Sequence, residues 1–172
     1  TKNVPEPVVE DRYDGDLNQG ISYHIDHGNG MDCYAVGPTL GGGTAALFPD
    51  STIVYPYCYK DCEVLDNGPL RFTTKLVYNP LVVKGDSNVI ETRIISLDKG
   101  SQLNKTVVSF DNLQETTPVV TGIVLHKQNP TGYSFDANAG YIAYADSTEN
   151  AANNNGVIYI GAVFPANIKG AL

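Results

Sequence analysis

Seven segments rich in β-branched and aromatic residues follow one another along this chain, and turn-forming residues separate them. Val, Ile, Tyr, Thr and Phe favour extended backbone, whereas Gly, Pro, Asn and Asp interrupt it. The predicted strands are 52–59, 70–78, 89–97, 105–110, 119–126, 140–145 and 157–164. No segment shows the apolar spacing of an amphipathic helix, so helices cannot form the body of the fold.

Short connections between consecutive strands imply antiparallel pairing. The pattern therefore predicts an all-β fold, an antiparallel β-sandwich. Three neighbouring strands read as about nine to eleven residues long, above the usual five or six. Strands of that length favour a large, curved sandwich over a small immunoglobulin module.

The length of 172 residues fits a single β-sandwich domain over residues 1–172, or a fragment of one. Residues 1–50 differ from the rest as a loop-rich segment that carries a cluster of His, Asp and Gly. The net charge of −8, with no basic block, excludes nucleic acid and anionic membrane surfaces as partners. No run approaches the roughly 20 apolar residues of a membrane span. Thr1 is no native start, so a lost secretion signal is compatible with the sequence.

The densest group of chemically active residues lies at 23–34, where two of the three histidines stand beside Asp32 and Tyr34. His24 and Asp26 share a face if the segment begins as a strand, which orients an imidazole for proton transfer. His24, His27 and Asp32 are alternatively ligands for a zinc-like metal. The structural alternative is a capped turn in which these groups bind loop amides.

Charged residues interrupt two of the predicted strands. Arg71 opens one strand, and Glu91 and Arg93 share a face of the next strand with apolar neighbours. A charged pair in such surroundings must be neutralised internally or must face a ligand. The two readings are an internal ion pair and a polar groove in which Arg71 and Arg93 bind hydroxyls or a carboxylate.

Three further features leave alternatives open. His126 ends an apolar run, which suits either a plain surface position or the rim of a ligand site. The oxygen ligands of residues 14–18 could hold calcium, but they lack the remainder of an EF-hand loop. Cys58 and Cys62 could close a disulfide, although packing thiols are the stronger expectation for the three cysteines. The glycines of 37–44 lack the ending of a phosphate-binding loop and predict a tight turn.

Four stretches carry a resemblance to a known family. They are YHIDHGNGMDCYAVGPTLGGG from Tyr23, NGPLR from Asn67, ETRIISLDKGSQLNK from Glu91 and TGIVLHK from Thr121. Together they resemble the family catalogued as domain of unknown function 4861, whose members look like secreted proteins of polysaccharide-degrading bacteria. Members of that family are typically about twice as long, so the chain reads as an internal, truncated portion. Missing segments of the same protein are then expected partners, since open sheet edges must be covered.

The strand–GPLR–strand pattern also resembles the supersandwich of galactose-mutarotase-like proteins, which implies a concave face that binds sugar. The expected function is that of a secreted, extracellular or periplasmic carbohydrate-active protein. Its reading as an enzyme is open: a glycoside hydrolase or polysaccharide lyase acting on plant or algal glycans, or a non-catalytic carbohydrate-binding or structural module of a larger enzyme. No cofactor is required beyond the calcium or zinc alternatives.

The resemblance and the residue types together assign expected roles. The expected catalytic residues are His24, His27, Glu91 and His126. The expected substrate-binding residues are Asp32, Tyr34, Arg71 and Arg93, with the two arginines neutralising a uronate carboxylate. Tyrosines would supply faces on which sugars stack: Tyr23, Tyr34, Tyr57 and Tyr59.

Overall fold

The computed structural model describes residues 32–147 and 156–164. Within them lie ten strands and one short 3-10 helix, Pro49–Ser51. The strands are β1 (Gly42–Leu47), β2 (Tyr59–Asn67), β3 (Arg71–Tyr78), β4 (Leu81–Val83), β5 (Asp86–Asp98), β6 (Lys105–Asp111), β7 (Val119–Ile123), β8 (Tyr133–Asp136), β9 (Tyr141–Ser147) and β10 (Val157–Val163). In the described residues, no helix is long and apolar enough to cross a membrane.

The all-β, antiparallel prediction is confirmed, and strands β3, β5, β6, β7, β9 and β10 lie where the sequence placed them. The predicted strand 52–59 is wrong. Within it only Val54 forms an isolated bridge, to Leu47, and the true strand β2 begins at Tyr59. Strand β1 was missed because its glycines and alanines read as a loop.

The chain divides into two compact units. The middle unit comprises Gly43–Gly122, and the flanking unit combines Thr1–Gly42 with Ile123–Leu172. The prediction of one domain over the whole chain is untested by this division and stays a prediction.

The middle unit contains a five-stranded antiparallel sheet in which β2, β3 and β5 are neighbours and β5 also pairs with β4 and β6. A second sheet, formed by β1 and β7, lies against one of its faces. Between the two sheets, Leu47 of β1 packs on three buried residues of the large sheet: Leu81, Val83 and Val89. This face-to-face packing is that of a sandwich.

The two faces of the large sheet differ in what they carry. We call the face that carries Val89, Glu91 and Arg93 the inner face, because β1 lies on it, and the opposite face the outer face. Alternation along β3 and β5 places Phe72 and Leu97 on the inner face and Arg71 and Asp98 on the outer face.

The flanking unit contains a three-stranded antiparallel sheet in the order β10–β9–β8. Residues before β1 join this unit through the Val124 amide, which donates to the Gly41 carbonyl at 2.9 Å. The backbone of β9 places Tyr144 and Asp146 on one face, two residues apart, and both are buried.

Candidate functional site

His126 lies at the centre of a hydrogen-bonded cluster in the flanking unit. Its Nδ1 contacts the carboxylate of Asp146 on β9, and its Nε2 lies 2.8 Å from the carbonyl oxygen of Ala35. The Asp146 side chain is 0% exposed and the His126 side chain only 12%. The cluster is therefore an imidazole–carboxylate pair held away from water.

Both partners of the His126 ring are hydrogen-bond acceptors. A neutral imidazole has one N–H, so it can donate to only one of them. Both ring nitrogens are engaged by protein groups, so neither is directed at solvent for use as a general base.

Tyr34 packs against this pair. Its ring centroid lies 5.0 Å from that of His126, at a tilt of 57°. The Tyr34 hydroxyl donates to the Val124 carbonyl at 2.5 Å. Burial, followed by the nearby Tyr144 and Asp146, raises the pKa of Tyr34 to about 12. At neutral pH Tyr34 is therefore a proton donor and not a base.

Tyr144 fixes the segment after β7 that carries His126. Its hydroxyl accepts from the His126 amide at 3.1 Å and donates to the Asn129 carbonyl at 2.9 Å. Asn129 in turn donates from its side chain to the Ala145 carbonyl at 2.6 Å. Burial raises the pKa of Tyr144, which keeps the phenol in the protonated form that makes both bonds.

A second buried cluster lies in the middle unit, between its two sheets. Arg93 donates to Glu91 through Nε, to Thr44 Oγ1 at 2.5 Å and to the Ala45 carbonyl at 3.0 Å. Its guanidinium also lies 5.0 Å from the centroid of the Tyr78 ring, a cation–π contact. The structure thus contains the internal ion pair that was one of the two sequence-based readings.

Glu91 is fully buried, and its second carboxylate oxygen has no hydrogen-bond partner. Burial is the largest influence on this carboxyl group and raises the pKa of Glu91, although Arg93 acts in the opposite direction. The desolvation of the carboxylate therefore outweighs its pairing.

Arg71 is engaged elsewhere in the same sheet. Its guanidinium forms two bonds with Asp98, at 2.6 and 2.9 Å, on the exposed outer face. The Arg71 guanidinium holds the pKa of Asp98 below its ordinary value. This is an exposed, bidentate surface pair.

The structure brings some of the predicted site residues together and separates others. Tyr34 meets His126, and Asp32 accepts a bond from the Tyr34 amide at 3.4 Å. Glu91 meets Arg93. Arg71 and Arg93 do not meet, because they lie on opposite faces and about 17 Å apart along the strand direction. His24 and His27 lie outside the described residues, as do residues 14–18.

The sequence reading missed Asp146, Tyr144, Asn129 and Thr44. Asp146 stands 20 residues from His126 in a run that reads as an ordinary strand. One sequence signal could have identified Asp146: it follows Tyr144 by two residues and lies on the same face of an apolar strand. A carboxylate at such a position needs a cationic or donating partner.

The cysteines are all free, so no disulfide joins Cys58 and Cys62. Cys58 and Cys62 are exposed, and the expectation of packing thiols is wrong for these two. Among the residues described, no three His, Cys, Asp or Glu side chains converge as metal ligands.

Exposed aromatic side chains concentrate before and at the start of β2. Tyr55, Tyr57 and Tyr59 are 42%, 91% and 55% exposed and occupy alternate positions; we call them the tyrosine strip. Tyr59 pairs across the sheet with Tyr78, which ties one end of the strip to β3. An exposed aromatic ring such as that of Tyr57 offers an apolar face on which a ligand can stack.

The chain has relatives among known proteins. The chain is similar to "Uncharacterized protein P7" of Formosa agariphila, with 27% identity over 146 residues that cover 85% of this chain. It spans only 36% of that relative's length. No solved structure matches the chain. A family model matches residues 1–171, and the chain therefore belongs to the family described as "Domain of unknown function (DUF4861)".

Proposed function

We propose that this chain is a carbohydrate-binding β-sandwich portion of a larger, secreted carbohydrate-active protein. The observation that carries the proposal is the tyrosine strip, in which Tyr57 is 91% exposed beside two further exposed rings. Sugar rings present C–H faces that stack on such aromatics, while their hydroxyls bind neighbouring polar groups. The galactose-mutarotase-like supersandwich is the architecture we propose for the longer polypeptide.

The state of the ionisable groups favours binding over catalysis. His126 uses both ring nitrogens on protein acceptors, and Glu91 is fully buried against Arg93. Arg71 and Arg93 are each paired to a carboxylate, so neither is poised to neutralise a uronate. General acid–base catalysis needs a group within reach of substrate, and these clusters are closed to it.

A catalytic role is the second candidate, and one contact favours it. The Tyr34 ring contacts the His126 ring, and the Asp146 carboxylate contacts the Nδ1 of that imidazole. A protonated phenol therefore lies beside an oriented imidazole. A glycan that displaced the backbone carbonyls from these two side chains would meet a proton donor and an imidazole together. A glycoside hydrolase or polysaccharide lyase would use that arrangement.

One experiment separates the two candidates. The protein is incubated with a panel of neutral and uronate-containing oligosaccharides and polysaccharides. Binding is followed by affinity electrophoresis, and turnover by new reducing ends and by the absorbance of unsaturated sugars. We expect retarded migration with at least one glycan and no turnover. Turnover that is lost in Tyr34→Phe would contradict the binding role, and no retardation across the panel would refute the proposed function.

A further inference from the structure

The second sheet of the middle unit covers only part of the inner face. Strand β1 meets the large sheet where Thr44 and Ala45 bind Arg93 and where Leu47 packs on Val89. These contacts occupy the first half of β5. Beyond Arg93, toward Leu97, the inner face has no described layer over it.

The bare half of the inner face is apolar. Phe72 and Leu97 stand directly opposite each other on β3 and β5 and are 42% and 47% exposed. Val64 on β2, opposite Thr74, lies in the next row and is 56% exposed. We call Val64, Phe72 and Leu97 the bare patch.

A sheet face of this kind is stable when a second layer buries it. Burial of an exposed Leu, Phe or Val side chain is a favourable gain, because apolar surface is removed from water. The first half of the inner face obtains this gain from β1, and the bare patch continues the same face. The pattern is that of a sandwich whose second layer is incomplete in these residues.

We infer that further strands of the same polypeptide, lying outside these 172 residues, extend the β1–β7 layer over the bare patch. Two observations select this occupant. The chain spans 36% of the length of its relative, so well over half of that protein is available to supply strands. The bare patch is also continuous with a face that β1 already covers. The inference rests on the part of the proposed function that makes this chain a portion of a larger protein, but its tests need no glycan, so it can fail while carbohydrate binding holds.

Edge-to-edge pairing of two copies through β2 is disfavoured. Strand β2 forms the edge of the sheet and carries three carboxylates on its outer-face side, Asp61, Glu63 and Asp66. Pairing of two such edges would bring like charges together, which is destabilising. The same three carboxylates indicate that the outer-face side of β2 stays in water.

Cys62 is a native reporter for the inference. It is exposed on the inner-face side of β2, two residues from Val64. Maleimide labelling of Cys62, mapped by mass spectrometry, is compared between the 172-residue chain and the natural polypeptide that contains it. The matched control is the thiol introduced by Glu63→Cys, on the same strand and the opposite face.

We expect Cys62 to react at least tenfold more slowly in the longer polypeptide, while the control thiol reacts at the same rate in both. Equal rates for Cys62 in the two proteins would overturn the inference, as would a natural polypeptide no longer than this chain. Protection of Cys62 in a dimer of the 172-residue chain would assign the patch to a second copy instead.

A second measurement needs only the longer polypeptide. Phe72→Asp, at the centre of the bare patch, should lower its unfolding midpoint in urea. Ser109→Asp, exposed on the outer face of β6, is the control and should leave the midpoint unchanged. An unchanged midpoint for Phe72→Asp would contradict burial of the patch.

Discussion

At the scale of single residues, the protein places each buried ionisable side chain beside a specific partner. His126 pairs with Asp146, and Glu91 pairs with Arg93. Such pairs are weak sources of net stability, but removing one member leaves a desolvated charge behind. Their effects are therefore best measured by substitution and by pH.

Tyr34 should remain protonated well into the alkaline range. Burial raises its pKa to about 12 from the ordinary 10.0. Because the folded-state value is the higher one, the stability that Tyr34 contributes is fully present below pH 10.0 and is lost as the pH rises through about 12. Tyrosine ring-carbon NMR, with Tyr34→Phe to identify the resonance, follows this titration. A midpoint at or below 10.0 would contradict the buried, hydrogen-bonded phenol.

The buried carboxyl group of Glu91 should make the free energy of unfolding depend on pH in the acid range. Burial raises the pKa of Glu91 above 4.5, so the folded state holds this proton more tightly than the unfolded state. The wild-type protein should therefore lose stability relative to Glu91→Gln as the pH rises above 4.5 through the folded-state value. Urea unfolding of both proteins at several pH values measures the difference. If the wild type instead became more stable relative to Glu91→Gln as the pH rises, pairing with Arg93 would outweigh desolvation of the carboxylate.

At the scale of elements, strand β9 holds the turn that follows β7. Asp146 and Tyr144 on β9 bind the side chain and the amide of His126. His126→Ala should cost about 3–5 kcal/mol, because Asp146 would remain buried without its partner. Lys127→Ala, at the exposed neighbouring position, should stay within about 0.5 kcal/mol. Urea denaturation compares the two variants, and similar small losses in both would show that the His126–Asp146 pair is dispensable.

The β8–β9 hairpin depends on a glycine. Gly140 has φ of 72°, and a Cβ there would lie 2.5 Å from the Phe164 carbonyl oxygen. Gly100 has a similar φ of 81° with open space around it. Gly100→Ala should cost about 1 kcal/mol from backbone strain alone. Gly140→Ala should cost clearly more in the same thermal unfolding assay, and equal losses would refute the close approach.

Sequence patterns predicted those elements in which β-forming residues run between turn-forming residues. Strands β3 and β5 were found in this way. Strand β2 was missed because it is exposed at every position, contains two register shifts and carries charge at Lys60, Asp61 and Glu63. Strand β1 was missed because its glycines and alanines read as a loop, and its contacts with Arg93, through the Thr44 hydroxyl and the Ala45 carbonyl, are visible only in the packed structure.

The candidate site was predictable only in part, for the same reason. Glu91 and Arg93 were recognisable as a pair because they are two residues apart on one strand. Asp146 was not recognisable as the partner of His126, because the two are brought together by pairing between distant segments. Arg71 and Arg93 looked alike in sequence, yet strand alternation directs them to opposite faces.

At the scale of the whole molecule, the chain is an all-β member of its family and carries an exposed aromatic surface. The buried ionisable groups of the two units pair with protein groups, although one carboxylate oxygen each of Glu91 and Asp146 has no hydrogen-bond partner, whereas the rings of the tyrosine strip are exposed. The central claim is that this strip binds carbohydrate. It follows that substitution of one exposed ring should weaken binding without changing stability, since Tyr57 contributes almost no buried surface.

Isothermal titration calorimetry with the glycan that gives the strongest retardation tests this claim most directly. Tyr57→Ala should weaken the affinity by about tenfold, the loss expected for one stacking ring at roughly 1.4 kcal/mol. Tyr159→Ala removes a ring that is 78% exposed on β10 in the flanking unit and should bind as the wild type does. Equal affinities for all three proteins would contradict the account.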